Sequence, residues 1–134
     1  MAALSSKAIY GLAAMHVLAH APRSRAMQVR EISAMTQISH GYLEQLLSIL
    51  RRNNLVSSIR GASGGYKLAR LAHEIEVIEI IEALEGPFYK IEGNIGSSLI
   101  LEYFWNDIEE KMRTLFSMKL SELDQAYQPH FYEI

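Results

Sequence analysis

One change of period constrains this chain more than any other feature. Leu43, Leu46, Leu47 and Leu50 recur at i, i+3, i+4 and i+7, the stripe of an amphipathic helix laid on a core. Just past Asn53-Asn54 the spacing becomes two: Leu55, Ser57 and Ile59 alternate with Val56, Ser58 and Arg60, as along a strand. Gly61-Ala62-Ser63-Gly64-Gly65 then reads as a flexible tip, and Tyr66-Lys67-Leu68 as the returning strand. A buried helix leading directly into a tight hairpin leaves few folds open.

What precedes this pair narrows them further. Ser5 or Ser6 caps a first helix that turns Ile9, Leu12, Ala13 and Val17 inward and ends near His20, because Pro22 cannot continue it. Residues 29–35 predict a short second helix with Ile32 and Met35 inward. Thr36-Gln37-Ile38 is then a turn, and Ser39 the N-cap of the third helix. Helix, turn, helix and Gly-tipped hairpin is the order of a winged helix-turn-helix, so the expected fold is mainly α with a small β-hairpin wing. That unit spans residues 1–87, with the wing at 55–69. Beyond it, residues 75–84 predict a helix with Ile78, Ile81 and Leu84 inward and Glu76, Glu79 and Glu82 outward, stopped by Gly86-Pro87. Residues 88–98, with Gly93 and Gly96, read as a loop. The longest helix is expected from Ser98 to about Lys119, with Ile100, Phe104, Ile108, Met112 and Leu115 on one face and Leu101, Trp105 and Phe116 widening it. A helix apolar on more than one side suits contact with a second chain, so 99–134 is expected to be a dimerisation helix and C-terminal tail. The other arrangement folds it back over its own wing domain. A short helix at 121–127 closes the pattern.

Charge divides the chain at the same place. Residues 1–70 carry nine Lys and Arg against Glu31 and Glu44, a formal net of +7. Residues 71–134 carry four against thirteen acidic residues, a net of −9. Such asymmetry points one half toward a polyanion and the other away from it. The 134 residues contain no Cys, which excludes disulfides, thiolate metal sites, a cysteine nucleophile and a conventional iron–sulfur cluster. No stretch reaches the ~18 apolar residues of a membrane span. The apolar run at 8–21 follows Lys7 as a leader would, but two His and a Gly interrupt it, and a cytoplasmic protein without a membrane partner is expected.

The third helix holds the candidate readers. Helices enter the major groove of DNA, where Gln pairs with adenine and Glu accepts from cytosine N4. Ser39, His40, Tyr42, Glu44 and Gln45 occupy the first turn and exposed face, with Arg51 further along. Glu44 could instead pair with Arg51, and Tyr42 could pack in the core. In the wing, glycines let backbone approach DNA while Arg60 beside Gly61 reaches a minor groove. A phosphate loop is excluded, because Tyr66 precedes Lys67 in a strand where Gly-Lys-Ser/Thr must enter a helix. His16 and His20 have metal-ligand spacing, but no third ligand lies nearby in sequence, so a buried structural pair is expected. No Ser sits in a Gly-x-Ser-x-Gly setting, and the carboxylates lie on solvated faces, so no catalytic residues are assigned and an enzyme is not expected.

The segments Ile38-Ser39-His40-Gly41-Tyr42-Leu43-Glu44-Gln45-Leu46-Leu47, Leu50-Arg51-Arg52-Asn53-Asn54-Leu55-Val56-Ser57-Ser58-Ile59-Arg60-Gly61 and Gly64-Gly65-Tyr66-Lys67-Leu68-Ala69-Arg70 strongly resemble the Rrf2 family of bacterial winged-helix regulators, the family of the IscR, NsrR and CymR proteins. Lys7 with Tyr10, and Ala83-Leu84-Glu85-Gly86-Pro87, match as well, and the likeness covers about residues 4–125. It implies homodimers crossing through the long helix, with one recognition helix and one wing on each half of a palindromic operator. It also implies Ser39, Tyr42 and Glu44 at bases or nearby backbone, and Arg60 with Gly61 in the minor groove. Two departures stand out. Many members hold an iron–sulfur cluster on three cysteines where residues 88–98 here have none, and Glu102 replaces a histidine of one cluster-binding branch. The first helix carries Ala2, Ala3, Ala8 and Ile9 where basic residues and a Gly-Arg pair are usual.

The expected function is a sequence-specific regulator, a homodimeric repressor on double-stranded DNA, with no metal or other cofactor and with Gln28, Ser39, His40, Tyr42, Glu44, Gln45, Arg51, Arg60 and Gly61 as its DNA-binding residues. Its signal would come from a small molecule or a protein effector, and Tyr89, Trp105 and the 88–98 loop are the place for a ligand. The alternative is a protein-interaction module that uses the acidic half and has lost DNA binding.

Overall fold

A computed structural model describes residues 4–22, 24–87, 89–93 and 98–128. Arg23, Phe88, residues 94–97 of the expected loop and the end of the expected tail lie outside the described residues. The order is α1 Ser6–His20, α2 Val29–Thr36, α3 His40–Arg52, β1 Val56–Ile59, β2 Gly65–Leu68, α4 Val77–Glu85, α5 Leu99–Leu115 and α6 Leu123–Ala126, with 3-10 turns at Ala72–Glu74 and Leu120–Glu122.

Ser5 caps α1, its hydroxyl accepting from the Lys7 N–H and donating to Glu85 at 2.7 Å, which ties the start of α1 to the end of α4. The inward face of α1 differs in part from the one expected. Leu12 and Val17 pack half-buried against the core as expected, but the fully buried residues are Ala8, Gly11, Ala14, Met15 and Leu18, and Ile9 is 61% exposed. Apolar residues surround this helix, so periodicity gives a weak choice of face, and close packing decides it. A Cβ on Gly11 would lie 2.2 Å from Leu84 Cδ1, so α4 approaches α1 as closely as it does only because position 11 has no side chain.

α2 ends one residue later than expected, at Thr36. Gln37 takes the left-handed conformation (φ 61°) and donates its N–H to Ser33 O at 2.7 Å, which turns the chain toward Ser39. Met35, expected inward, is 64% exposed, and Ile32 alone is the buried residue of this helix. With eight residues, α2 presents only one position fully to the core.

Ser39 caps α3, and Leu43, Leu46, Leu47 and Leu50 are all buried, as the stripe requires. They join Met15, Leu18, Ile32, Leu55, Ile75, Ile80 and Leu84 in one core. The hairpin pairs Val56 with Leu68, Ser57 with Lys67, Ser58 with Tyr66 and Ile59 with Gly65. Met27 and Tyr66 exchange both backbone hydrogen bonds, at 2.8 and 2.7 Å, so a third piece of chain backs the wing.

Downstream, α4 begins two residues later and α5 ends earlier than expected, for one shared reason. Glu76 and Lys119 stay extended and form a bridge, closed by the residues beside them: Val77 donates to Met118 O at 2.7 Å and Leu120 to Ile75 O at 2.8 Å. Leu120 thereby enters the main core. Helix 121–127 resolves into the 3-10 turn and α6.

Candidate nucleic-acid interface

α3 is anchored by its leucines, so the residues between them face outward by geometry. Ser39, His40, Gly41, Glu44, Gln45, Arg51 and Arg52 are exposed. Gly41, Glu44, Gln45, Ser48, Ile49 and Arg52 line one shallow groove along this face. Arg52 is the residue that sequence reasoning left out of the candidate set; its signal is the i, i+4, i+7, i+11 row begun by Gly41. Among the described residues neither Glu44 nor Arg51 forms an ion pair, so the Glu44–Arg51 pairing is not made.

Tyr42 is half-buried. Its hydroxyl hydrogen-bonds Ser6 Oγ at 2.8 Å, and its ring meets Tyr10 edge-on at 6.0 Å. It braces the first turn of α3 against α1. Ser39 Oγ accepts from the Tyr42 N–H at 3.4 Å, the usual N-cap bond, while keeping an exposed side chain. Gln28 precedes α2 and is half-buried; its N–H donates to Glu31 Oε1 at 3.0 Å. That bond, followed by the Arg25 guanidinium at 3.1 Å, holds the Glu31 carboxyl below the ordinary glutamate range. Arg25 is thus engaged within the fold. So is Arg70, which bonds Glu79 at 2.8 Å.

Arg60 is exposed and without an ion-pair partner among the described residues. The three tip glycines differ in kind. Gly61 has φ 107° with open space around its Cβ position, which leaves its backbone approachable. A Cβ on Gly64 would meet Ile59 O at 2.2 Å, and one on Gly65 would meet Met27 O at 2.3 Å. Those two glycines serve packing inside the wing, and the tip is a hydrogen-bonded turn, Gly64 N–H to Gly61 O at 2.9 Å.

α5 has no buried residue. Ile100 is 80% and Leu115 76% exposed, and Leu99, Leu101, Tyr103, Phe104 and Trp105 also face outward. Tyr89 lines a groove with Lys90, Asn106, Glu109, Glu110 and Arg113, and Trp105 meets the Phe104 ring at 4.8 Å.

His16 and His20 are not a buried pair. Their side chains are 41% and 52% exposed, and the carboxylate of Asp124, on α6, bonds both rings. Asp124 lies more than a hundred residues away in sequence, beyond the reach of any local signal.

Comparison with known proteins agrees with this architecture. Residues 4–125 match the Rrf2 family model, described as an iron-dependent transcriptional regulator. The chain is 39% identical over 127 residues to the HTH-type transcriptional regulator IscR of Xenorhabdus nematophila, covering 90% of this chain and 77% of that one. It is 34% identical over 120 residues to a putative HTH-type transcriptional regulator, ORF2, of Azotobacter vinelandii, covering 85% and 73%. Its structure is similar to that of CymR, the global cysteine regulator of Bacillus subtilis, with a TM-score of 0.83 at 33% identity over 96% of this chain and all of that one. These relatives are transcriptional regulators, not enzymes. A thiolate-bound iron–sulfur cluster does not fit the donor set here. The chain has no Cys. Near Ile91 the segment offers carboxylates, of which Glu109 already accepts the Ile91 N–H at 2.6 Å.

Proposed function

The chain belongs to the Rrf2 family of transcriptional regulators, and from that premise we propose that it is a cytoplasmic, homodimeric repressor that reads a palindromic operator in double-stranded DNA without an iron–sulfur cluster. The observation that carries this reading is the outer face of α3. Four leucines are fully committed to the core, while Glu44, Gln45, Arg51 and Arg52 stand exposed with no ion pair among the described residues.

In this reading α3 lies in the major groove. His40, Glu44 and Gln45 face base edges from the first turns, with Ser39 and the N-terminus of α3 against a phosphate. Tyr42 holds that turn in place, and Gln28 at the start of α2 meets the neighbouring backbone. Arg51 and Arg52 answer phosphates, and Arg60 with Gly61 enters the minor groove from the wing. Glu44 adds nothing to phosphate affinity, so its place on a basic face is that of a base reader or a repeller of wrong sequences. The exposed face of α5 supports pairing with a second copy, which sets two α3 helices one turn of duplex apart. With no thiol available, the signal arrives as a small molecule or a protein partner.

Selection of bound duplexes from a random pool tests the whole reading. The expected result is a palindrome with half-sites about ten base pairs apart, or a multiple of that. Affinity for the selected duplex falls with salt at a log–log slope near −0.9 per phosphate neutralised, and Arg60→Ala weakens it. Binding that ignores salt and survives Arg60→Ala overturns the proposal and favours the protein-interaction module.

A further inference from the structure

We propose that His16, His20 and Asp124 form a binding site for a divalent first-row transition metal ion, of the zinc or ferrous type, that joins α6 to α1. The three side chains place one ligand atom each within 4.8 Å of one another. This site is separate from the DNA-binding face and stands or falls independently of it.

Hydrogen-bond chemistry supports the assignment. His20 Nδ1 lies 2.8 Å from His16 O. A carbonyl only accepts, so Nδ1 carries the proton and Nε2 is left with either a second proton or a lone pair. That Nε2 faces Asp124 Oδ2, while His16 Nε2 lies 2.8 Å from Oδ1 of the same carboxylate. In a neutral His20 the Nε2 lone pair and the carboxylate oxygen repel unless a cation sits between them. A proton is one such cation and a metal ion the other. The Nδ1–H bond to a backbone carbonyl is also the outer-shell contact that fixes a ligating imidazole in orientation and tautomer.

Geometry and field agree. Ligands at 2.0–2.2 Å from a tetrahedral ion stand roughly 3.3–3.6 Å apart, a spread these half-exposed side chains reach by small torsional changes. Two imidazoles one helical turn apart and a single carboxylate form a borderline nitrogen–oxygen set, which suits zinc, ferrous or cobaltous ions and disfavours calcium and magnesium. His20 is the last residue of α1, where the helix dipole presents its negative end to a cation. The side chains of His16 and Asp124 are 41% and 53% exposed, so water completes the coordination shell.

Titration of the metal-free full-length chain with Co2+ tests the site. Expected is a visible d–d absorption that saturates at one ion per chain and is abolished by Zn2+ in competition. Zn2+ at a hundredfold excess over its Kd is expected to raise the unfolding midpoint by roughly 10 °C. Asp124→Asn and His16→Gln, both at half-exposed positions, are each expected to weaken the ion by more than the ~10–100-fold that loss of a merely supporting group costs. Both variants are expected to keep the far-ultraviolet dichroism of the parent, and His73→Gln is expected to bind Co2+ as the parent does. Absence of a saturable band, or affinity unchanged by Asp124→Asn, overturns the proposal and leaves Asp124 as a hydrogen-bond partner of the two rings only.

Discussion

α3 and α5 share the same kind of pattern, an apolar stripe beside a polar face, and come to opposite ends. Every residue of the α3 stripe is buried by its own chain, while not one residue of α5 is. The α3 leucines meet partners from α1, α2, α4 and the root of the wing, which leaves its polar side as the surface with no task inside the fold. In α5 the apolar side itself is left over. Periodicity states that a face wants covering; only the count of elements able to reach it decides whether the cover is intramolecular.

The largest effects should come from the covered side. Leu47→Ala is expected to destabilise the fold by about 2–5 kcal/mol in denaturant titration, since the site is fully enclosed. Leu120→Ala should cost a similar amount although it follows α5, because Leu120 is a member of the α3 core; a loss under ~0.5 kcal/mol would show the returning segment to be a loose appendage. Phe104→Asp should do the reverse. Folding stability of the dilute chain changes by less than ~0.5 kcal/mol, while self-association measured by sedimentation weakens by ~2 kcal/mol or more, about thirtyfold. Unfolding by that substitution would mean the face is covered from within. Glu44→Ala, on the free side of α3, is expected to leave stability alone and relax discrimination at one base pair by ~1–3 kcal/mol in competition binding; equal loss on every duplex would make Glu44 structural. The smallest effect concerns Glu79, which pins the end of the wing to α4. Burial pushes its carboxyl up, but the Arg70 guanidinium and the Glu76 N–H outweigh burial and hold it below the ordinary glutamate value. A lowered folded value contributes stability that is present above the ordinary glutamate range and lost as pH falls through the lowered one. Glu79→Gln should therefore be slightly less stable than the parent at neutral pH, with the gap closing on acidification.

Much of this was legible from the chain because it is local. The α3 stripe, its Ser39 cap, the turn at 36–38 and the hairpin each declare themselves within about ten residues, and their period changes at Asn53-Asn54. The candidate readers followed, since naming the buried side of a helix names the exposed one. The face of α1 is less legible because apolar residues surround it, and small residues, Ala8, Gly11 and Ala14, are buried beside Met15 and Leu18 while Ile9 is not. Met35 shows the same limit on a helix too short to average over. The ends of α4 and α5 moved because residues 75–77 and 118–120 pair with each other, a contact between segments some forty residues apart. Asp124 beside His16 and His20 is of the same kind.

That pairing gives α4 a mechanical office. The excursion carrying α5 departs from the C-terminal end of α4 at Gly86 and is fastened again beside its N-terminal end by the Ile75–Leu120 and Val77–Met118 bonds. It is a handle riveted at both ends, not a dangling arm. The helix that both ends of the excursion meet is itself seated on α1 at Gly11 and Leu84, and α1 is the helix against which Tyr42 braces the first turn of α3.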